Sequence, residues 1–508
     1  VQIQAPPVST AAGRIGQLTR YDRLRVWVMA NRLFALALGA GTILRLVAVV
    51  GYPGALYFAG DSYVYLGRTI QLAPDRSKST GYSLFLKVLE PFHSLTLVTI
   101  VQHLMGLAIA VMIYALLRRA RVPTRWAALA TVPVLLNGFQ VELEHMVMAD
   151  TLFMFLLVAA AALLLWREQP SWRAVLLAGL LTGYAITVWT GGVLMPFVFA
   201  GFLIIRRKGW RSLAALVVGC AIPVVAYGVW FHSQTGDYNL TESGGFYLWG
   251  RVSSFAECSR INPPADERML CLSQPPSRRE PPGALIWNEP QVIAALPGGP
   301  VSAKSDALME NFAIRAIEAQ PLSYVHVIID GLVLAVEPVH HPYPSAGTVY
   351  DYYFHTKPQT VPDQTVVPGA TAPQDIRAYG HASISRVVEP FARAMAAYQR
   401  VFWLYGPLFG LIMMLGLGGF VRVARREGWQ ISIQRRRDGP SMMPWVAAVV
   451  LLVTPIAIAD FDYRYLLPVV PFACLAAGLA FAAPATSSDA TGAGRGAVQA
   501  HPGPSRAS

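Results

Sequence analysis

Apolar runs of about 17 to 25 residues, each long enough to cross a lipid bilayer as a helix, recur along this chain. In hydrocarbon only helices and closed barrels satisfy every backbone donor and acceptor, and the runs lack the alternation of barrel strands. The expected fold is therefore an all-α polytopic membrane protein. An apolar share of 54% against a charged share of 14% over 508 residues fits that class better than a string of soluble domains.

Spans are expected near 33–52, 95–117, 126–141, 147–166, 174–190, 191–205, 212–231, 401–421, 442–459 and 466–483, about ten in all. Basic residues fix their direction, because Lys and Arg beside span ends stay in the cytoplasm. Arg14, Arg20, Arg23, Arg25 and Arg32 precede the first span, and Arg118, Arg119, Arg121 and Arg125 separate the second from the third. Arg167 and Arg173, then Arg206, Arg207, Lys208 and Arg211, then Arg422, Arg425, Arg426 and Arg435–Arg437 fill the other inner connections. Both termini are then cytoplasmic. The first span serves as its own insertion signal, since no cleavage-type pattern precedes it.

The expected division is a cytoplasmic segment (1–32), seven spans (33–231) with a first outer loop at 53–94, an outer segment (232–400), three further spans (401–483) and a disordered tail (484–508). Interfacial helices are expected in the first outer loop and in the large outer segment. There Ser305 or Asp306 can cap one helix and Leu322–Val336 can form another at the interface, while 338–380 reads as a lid or a mobile connection. Cys258 and Cys271, with twelve residues between them on the oxidising side, are a candidate disulfide. The net charge of +12 lies where topology demands it, beside anionic lipid headgroups, so membrane lipids are expected partners and nucleic acid is not.

The residues that suggest chemistry cluster at outer helix ends. Asp61, within Gly60-Asp61-Ser62, sits just past the first span, where a carboxylate can meet a lipid-borne substrate and remain hydrated. A carboxylate there can accept the proton of an attacking hydroxyl. Arg68, Arg76 and Lys78 follow in the same loop and can neutralise a departing phosphate. Glu144, His145 and Asp150 flank the next outer turn, and with Tyr65 are candidates for shaping the site around an acceptor. Arg464 is almost the sole cation of the short outer turns, which is the strongest argument for an anionic partner there. His340, His341, His355 and His381 match no metal-ligand spacing.

Four stretches resemble one family. They are Gly60-Asp61-Ser62 with Tyr65 and then Gly81-Tyr82-Ser83-Leu84-Phe85-Leu86; Val101-Gln102-His103-Leu104 running to Arg118-Arg119; Ile314 to Tyr324; and Tyr463-Arg464-Tyr465-Leu466-Leu467-Pro468. In order and topology they are similar to the polyprenyl-phosphate-sugar-dependent glycosyltransferases of the GT-C fold, in particular the protein-mannosyltransferase-like and aminoarabinose-transferase-like groups. The resemblance covers roughly a third of the chain. Two departures stand out: Ser62 takes the place of a second adjacent acid, and Ser83 that of the usual Pro.

The resemblance implies transfer of a sugar from a polyprenyl-monophosphate donor to a hydroxyl acceptor on a glycan, lipid or protein, with inversion at the anomeric carbon. Asp61 would be the general base and Arg464, with Arg68, Arg76 or Lys78, would hold the phosphate. The site would face the extracytoplasmic side of the plasma (inner) membrane of the cell envelope. No nucleotide is implied; no metal site is recognised, although a divalent metal is compatible with the acids. A transporter or glycan-handling channel, or a non-catalytic assembly subunit of the envelope, are the alternatives.

Overall fold

A computed structural model of the chain describes residues 20–380, 386–426 and 442–482. Arg14, Arg435–Arg437, His381 and the tail at 484–508 lie outside the described residues. Helix α1 (Arg32–Gly51) leads into two short helices, α2 (Asp61–Ile70) and α3 (Gly81–Leu89), and then into α4 (Leu95–Arg119). A pair bent by 50°, α5 (Thr124–Leu135) and α6 (Gly138–His145), precedes α7 (Asp150–Leu165), α8 (Trp172–Val188), α9 (Met195–Ile205) and α10 (Trp210–Thr235). The long middle segment holds α11 (Gly244–Ser253), α12 (Pro282–Asn288), α13 (Ala303–Ala319), α14 (Pro321–Leu334) and α15 (Ala372–Gly380). The bundle resumes with α16 (Phe391–Val401) and α17 (Gly406–Arg426), bent by 59°, then α18 (Met442–Ile458) and α19 (Val469–Leu479).

Each of the ten expected spans coincides with an apolar helix or a bent pair. Length alone qualifies fewer: α1, α4 and α10 can cross a membrane by themselves, and the bent pairs raise the number to five. α7, α8 and α18 are apolar but only 16 or 17 residues long. At 1.5 Å per residue they reach about 25 Å, just short of a ~30 Å hydrocarbon core.

The break between α5 and α6 has a local cause. Asn137 caps α6 by accepting the N–H of Phe139, and the same oxygen accepts the N–H of Leu404 from the α16–α17 bend. The carbonyls of Val134 and Leu135, left open by the break, accept from the Arg45 guanidinium on α1. An arginine inside the first span therefore closes the backbone of a broken one, as a low-dielectric setting requires.

The middle segment carries its own hydrophobic core, in which Phe246, Trp249 and Val252 of α11 meet Leu285 of α12 and Phe312 of α13. Cys258 and Cys271 are joined beside it. α13 is capped by Ser302, whose hydroxyl oxygen accepts the N–H of Ser305, so the cap lies earlier than Ser305 or Asp306. Asp306 instead accepts from Gly245 and ties α13 to α11. α14 packs on α18, with the Tyr324 hydroxyl donating to the Ala457 carbonyl, and leaves Leu322, Val325, Ile329 and Val333 exposed along its other side.

Between 338 and 380 the chain is anchored rather than loose. Tyr352 is fully buried, the Tyr379 hydroxyl donates to the Leu86 carbonyl, and α15 packs against α2. Asp460 clasps the middle segment to the bundle, accepting from Tyr343 (2.6 Å), Gly283 N–H (2.9 Å) and Arg251 (3.3 Å).

Candidate functional site

The α2 segment is built to aim one carboxylate. Gly60 adopts φ +83°, a conformation that costs side-chain-bearing residues about 1 kcal/mol or more, and it turns the chain into α2 with Asp61 in the first turn. Ser62 is fully buried: its oxygen accepts the Phe58 N–H at 2.8 Å and its hydroxyl donates to the Val147 carbonyl at 2.9 Å. A second acid could not make that donation unless protonated. Ser62 thus locks α2 to the 146–149 segment and leaves Asp61 as the one acid at this turn.

Both Asp61 oxygens are engaged. Oδ1 lies 2.7 Å from Lys78 Nζ and Oδ2 lies 2.8 Å from Arg464 Nη1. Burial alone would raise the Asp61 carboxyl, but the two cations outweigh it and hold the group down at about 2. Lys78 is raised in turn, its burial offset by Asp61.

Arg464 comes from the other end of the chain, on the turn between α18 and α19. Asp462 accepts its backbone N–H at 3.0 Å, and the Tyr352 hydroxyl donates to Asp462 at 2.7 Å. The guanidinium lies over the rings of Phe58 and Tyr465, 5.1 and 5.2 Å from their centroids, and Trp189 stacks on Tyr465. Flat rings beneath a planar cation fix its orientation and leave part of its donor fork for a ligand.

These groups line one cavity of about 320 Å³, near the lower end of the range for small-molecule sites. Asp61, Tyr65, Lys78, Asp150 and Arg464 meet there. Trp189, Thr190 and Gly191 come from the α8–α9 turn, Ser243 and Tyr247 from the start of α11, and Thr454, Pro455 and Ile458 from the end of α18. Asp150 opens α7 and makes no ion pair among the described residues. The segment leading up to it is held by Gln102, whose amide donates to the carbonyls of Glu144 and Met146 while its oxygen accepts from Tyr82.

The other sequence candidates lie outside this cavity. Arg68 pairs with Asp75 at 2.8 Å, and Arg76 pairs with Glu242 at the foot of the middle segment. Glu144 and His145 are fully buried on α6 in a separate network. Glu144 receives Arg45 through Nε and Nη2 at 2.7 and 2.8 Å, Gln140 at 3.0 Å, and lies 2.9 Å from His103 Nδ1. His103 Nε2 is 3.0 Å from His145, whose Nε2 donates to the Tyr52 carbonyl. His340 packs against Trp403 and Tyr463. Among the described residues no group of three or more His, Cys, Asp or Glu side chains is arranged to hold a metal ion.

Trp189, Thr190 and Gly191 escaped the sequence reading because they bear no charge and sit in the short connection between α8 and α9. The one available signal was the polar interruption Thr190-Gly191-Gly192 between two apolar runs.

The folded Asp61 value lies below the ordinary 3.8, so its ion pairs stabilise the fold fully above about pH 4 and are lost as pH falls through about 2. Lys78→Gln removes one of the two cations. The acid limb of the pH profile of kcat/KM for the transfer proposed below is expected to move up by about one pH unit or more. An unmoved limb in the variant would mean that Lys78 does not govern Asp61.

No protein-family model and no curated protein sequence matches the chain. Among solved structures it is similar to the apo oligosaccharyltransferase of Archaeoglobus fulgidus, at 11% identity and a TM-score of 0.39, over 87% of this chain and 50% of that one. It is also similar to the protein O-mannosyltransferase Pmt1-Pmt2 complex of S. cerevisiae bound to its sugar donor, at 14% identity and a TM-score of 0.33, over 53% of this chain and 39% of that one. A third is ArnT of Cupriavidus metallidurans bound to undecaprenyl phosphate, at 13% identity and a TM-score of 0.30, over 84% and 77% of the two chains. The chain spans about half the length of the archaeal enzyme.

Proposed function

We propose that this chain is a GT-C-type membrane glycosyltransferase that moves a sugar from a polyprenyl monophosphate to a hydroxyl acceptor. The observation that carries the reading is Asp61 held between Lys78 and Arg464 on the wall of one cavity that Asp150, Trp189 and Tyr247 also line. The sequence stretches around Asp61 and Arg464 resemble that family, which supports the same reading.

In the proposed reaction the acceptor hydroxyl gives its proton to Asp61 and its oxygen attacks the anomeric carbon. The bond from that carbon to the phosphate oxygen breaks on the opposite face, its electron pair staying with the phosphate. The configuration inverts, and polyprenyl phosphate leaves against Arg464 and Lys78, whose charge matches the charge that grows on it. Asp150 orients acceptor hydroxyls, and Trp189 and Tyr247 offer faces for a sugar ring.

The cavity is proposed to face the extracytoplasmic side. In support, the opposite helix ends carry arginines over aromatic rings: Arg119 over Trp166, Arg173 over Trp172, Arg206 over Phe202 and Arg211 over Trp210. That pattern suits the headgroup layer of a cytoplasmic leaflet. The transporter reading needs charges deep in facing helices. Arg45, His103 and Glu144 meet that description but are buried in one another's company away from the cavity, and so form no path.

The test is the purified chain in lipid nanodiscs with labelled polyprenyl-monophosphate sugars and an envelope extract as acceptor. Label is expected to reach an acceptor with release of polyprenyl phosphate. Folded protein that transfers from no such donor, or that in sealed vesicles only carries label across the bilayer, overturns the reading.

A further inference from the structure

We infer that Asp61 itself occupies the position on Lys78 and Arg464 that the donor phosphate would take, and that the phosphate must draw both cations away before Asp61 can act as a base. The inference rests on the function proposed above and adds an order of events to it. The site is self-blocked until the lipid-linked donor arrives.

The geometry is that of a resident anion. The two carboxylate oxygens of Asp61 engage one cation each, at 2.7 and 2.8 Å, much as two oxygens of a phosphodiester would. Lys78 and Arg464 are the two basic side chains of the cavity lining, so a phosphate entering it meets cations already in use. Arg464 Nε lies 3.6 Å from Asp462 Oδ2, so the guanidinium also faces a second, fixed carboxylate that does not contact Lys78.

A carboxylate held down at about 2 takes a proton from a hydroxyl poorly, and it becomes a better base as each cation leaves. Charge is conserved through the cycle. With the donor bound, Lys78 and Arg464 face the Asp61 carboxylate and the phosphodiester, each carrying a single negative charge, while Asp462 beside Arg464 keeps its charge throughout. After transfer Asp61 is neutral and the phosphate, now a monoester, carries two. The cations follow the charge from the base to the leaving group, and when polyprenyl phosphate departs they return to Asp61 as its proton passes to water. Asp150 lines the same cavity and feels Arg464 through space but makes no ion pair with either cation, so a phosphate displaces nothing from it and it serves as the comparison.

The experiment measures binding of a polyprenyl methyl phosphodiester, which does not titrate near neutrality, to the full chain in neutral-lipid nanodiscs. Asp61→Asn is expected to bind it about tenfold more tightly than wild type, with Asp150→Asn changing affinity less than about threefold. The wild type, which needs no substitution to fold, is expected to take up more protons on binding than Asp61→Asn does; Asp150 and Asp462, the other carboxylates that face Arg464, are present in both and cancel in the difference. Weaker or unchanged binding by Asp61→Asn, an equal gain in Asp150→Asn, or equal proton uptake by wild type and Asp61→Asn each overturn the inference and leave the proposed function standing. Absence of phosphodiester binding in folded wild type and both variants removes the proposed function as well.

Discussion

Asp61→Asn is expected to lower sugar transfer on the order of 10³-fold, the range of a positioned general base. The amide keeps the shape of the carboxylate and one oxygen to accept from Arg464 or Lys78, so the cavity should keep its form. What it loses is a site for the acceptor's proton. Arg464 stays anchored through Asp462 and its aromatic neighbours, which separates this effect from collapse of the phosphate site. Single-turnover transfer in nanodiscs checks it. A loss below tenfold, with the donor saturating, would assign the proton to another group, Asp150 being the one carboxylate nearby without a counter-charge.

Glu144→Ala should act on the fold instead. All the donors of the Arg45 guanidinium are used: Nε and Nη2 on Glu144, Nη1 on the carbonyls of Gly41 and Leu135, and Nη2 again on Val134. Removing Glu144 leaves a buried cation without its counter-charge and His103 without its acceptor, a loss of about 3–5 kcal/mol. The neighbourhood is shaped for this carboxylate. A side chain at Gly106 would place its first carbon 1.9 Å from a Glu144 oxygen. A thermal unfolding midpoint lowered by several degrees is expected for Glu144→Ala, a smaller drop for Glu144→Gln, and in neither case a specific change in donor affinity.

The contrast between these acids shows where the sequence was readable. Asp61, Lys78, Asp150 and Arg464 could be singled out because each is a charge beside an apolar run, where the cost of burial has to be offset by something. Their convergence on one cavity could not, since Asp61 and Arg464 are 403 positions apart and no local pattern reports that contact. Glu144 and His145 carry the same sequence signal as Asp150, but α6 is too short for periodicity to tell its faces apart. Arg68 and Arg76 stand close to Asp61 in sequence, yet each is taken by a partner, Asp75 or Glu242, that only the folded loop brings near. The apolar runs located the helices well. The bend at Asn137 went unseen because it depends on a capping oxygen that also binds the α16–α17 turn.

Asp61 leaves the ribosome early and Arg464 late. Until the α18–α19 turn is in place, Asp61 lacks its Arg464 partner and the cavity lacks the wall supplied by α18 and Tyr465. On the proposed function, a copy without that turn would carry every residue of the first loop and transfer no sugar. Activity would thereby wait on a turn made some four hundred residues after the carboxylate it completes.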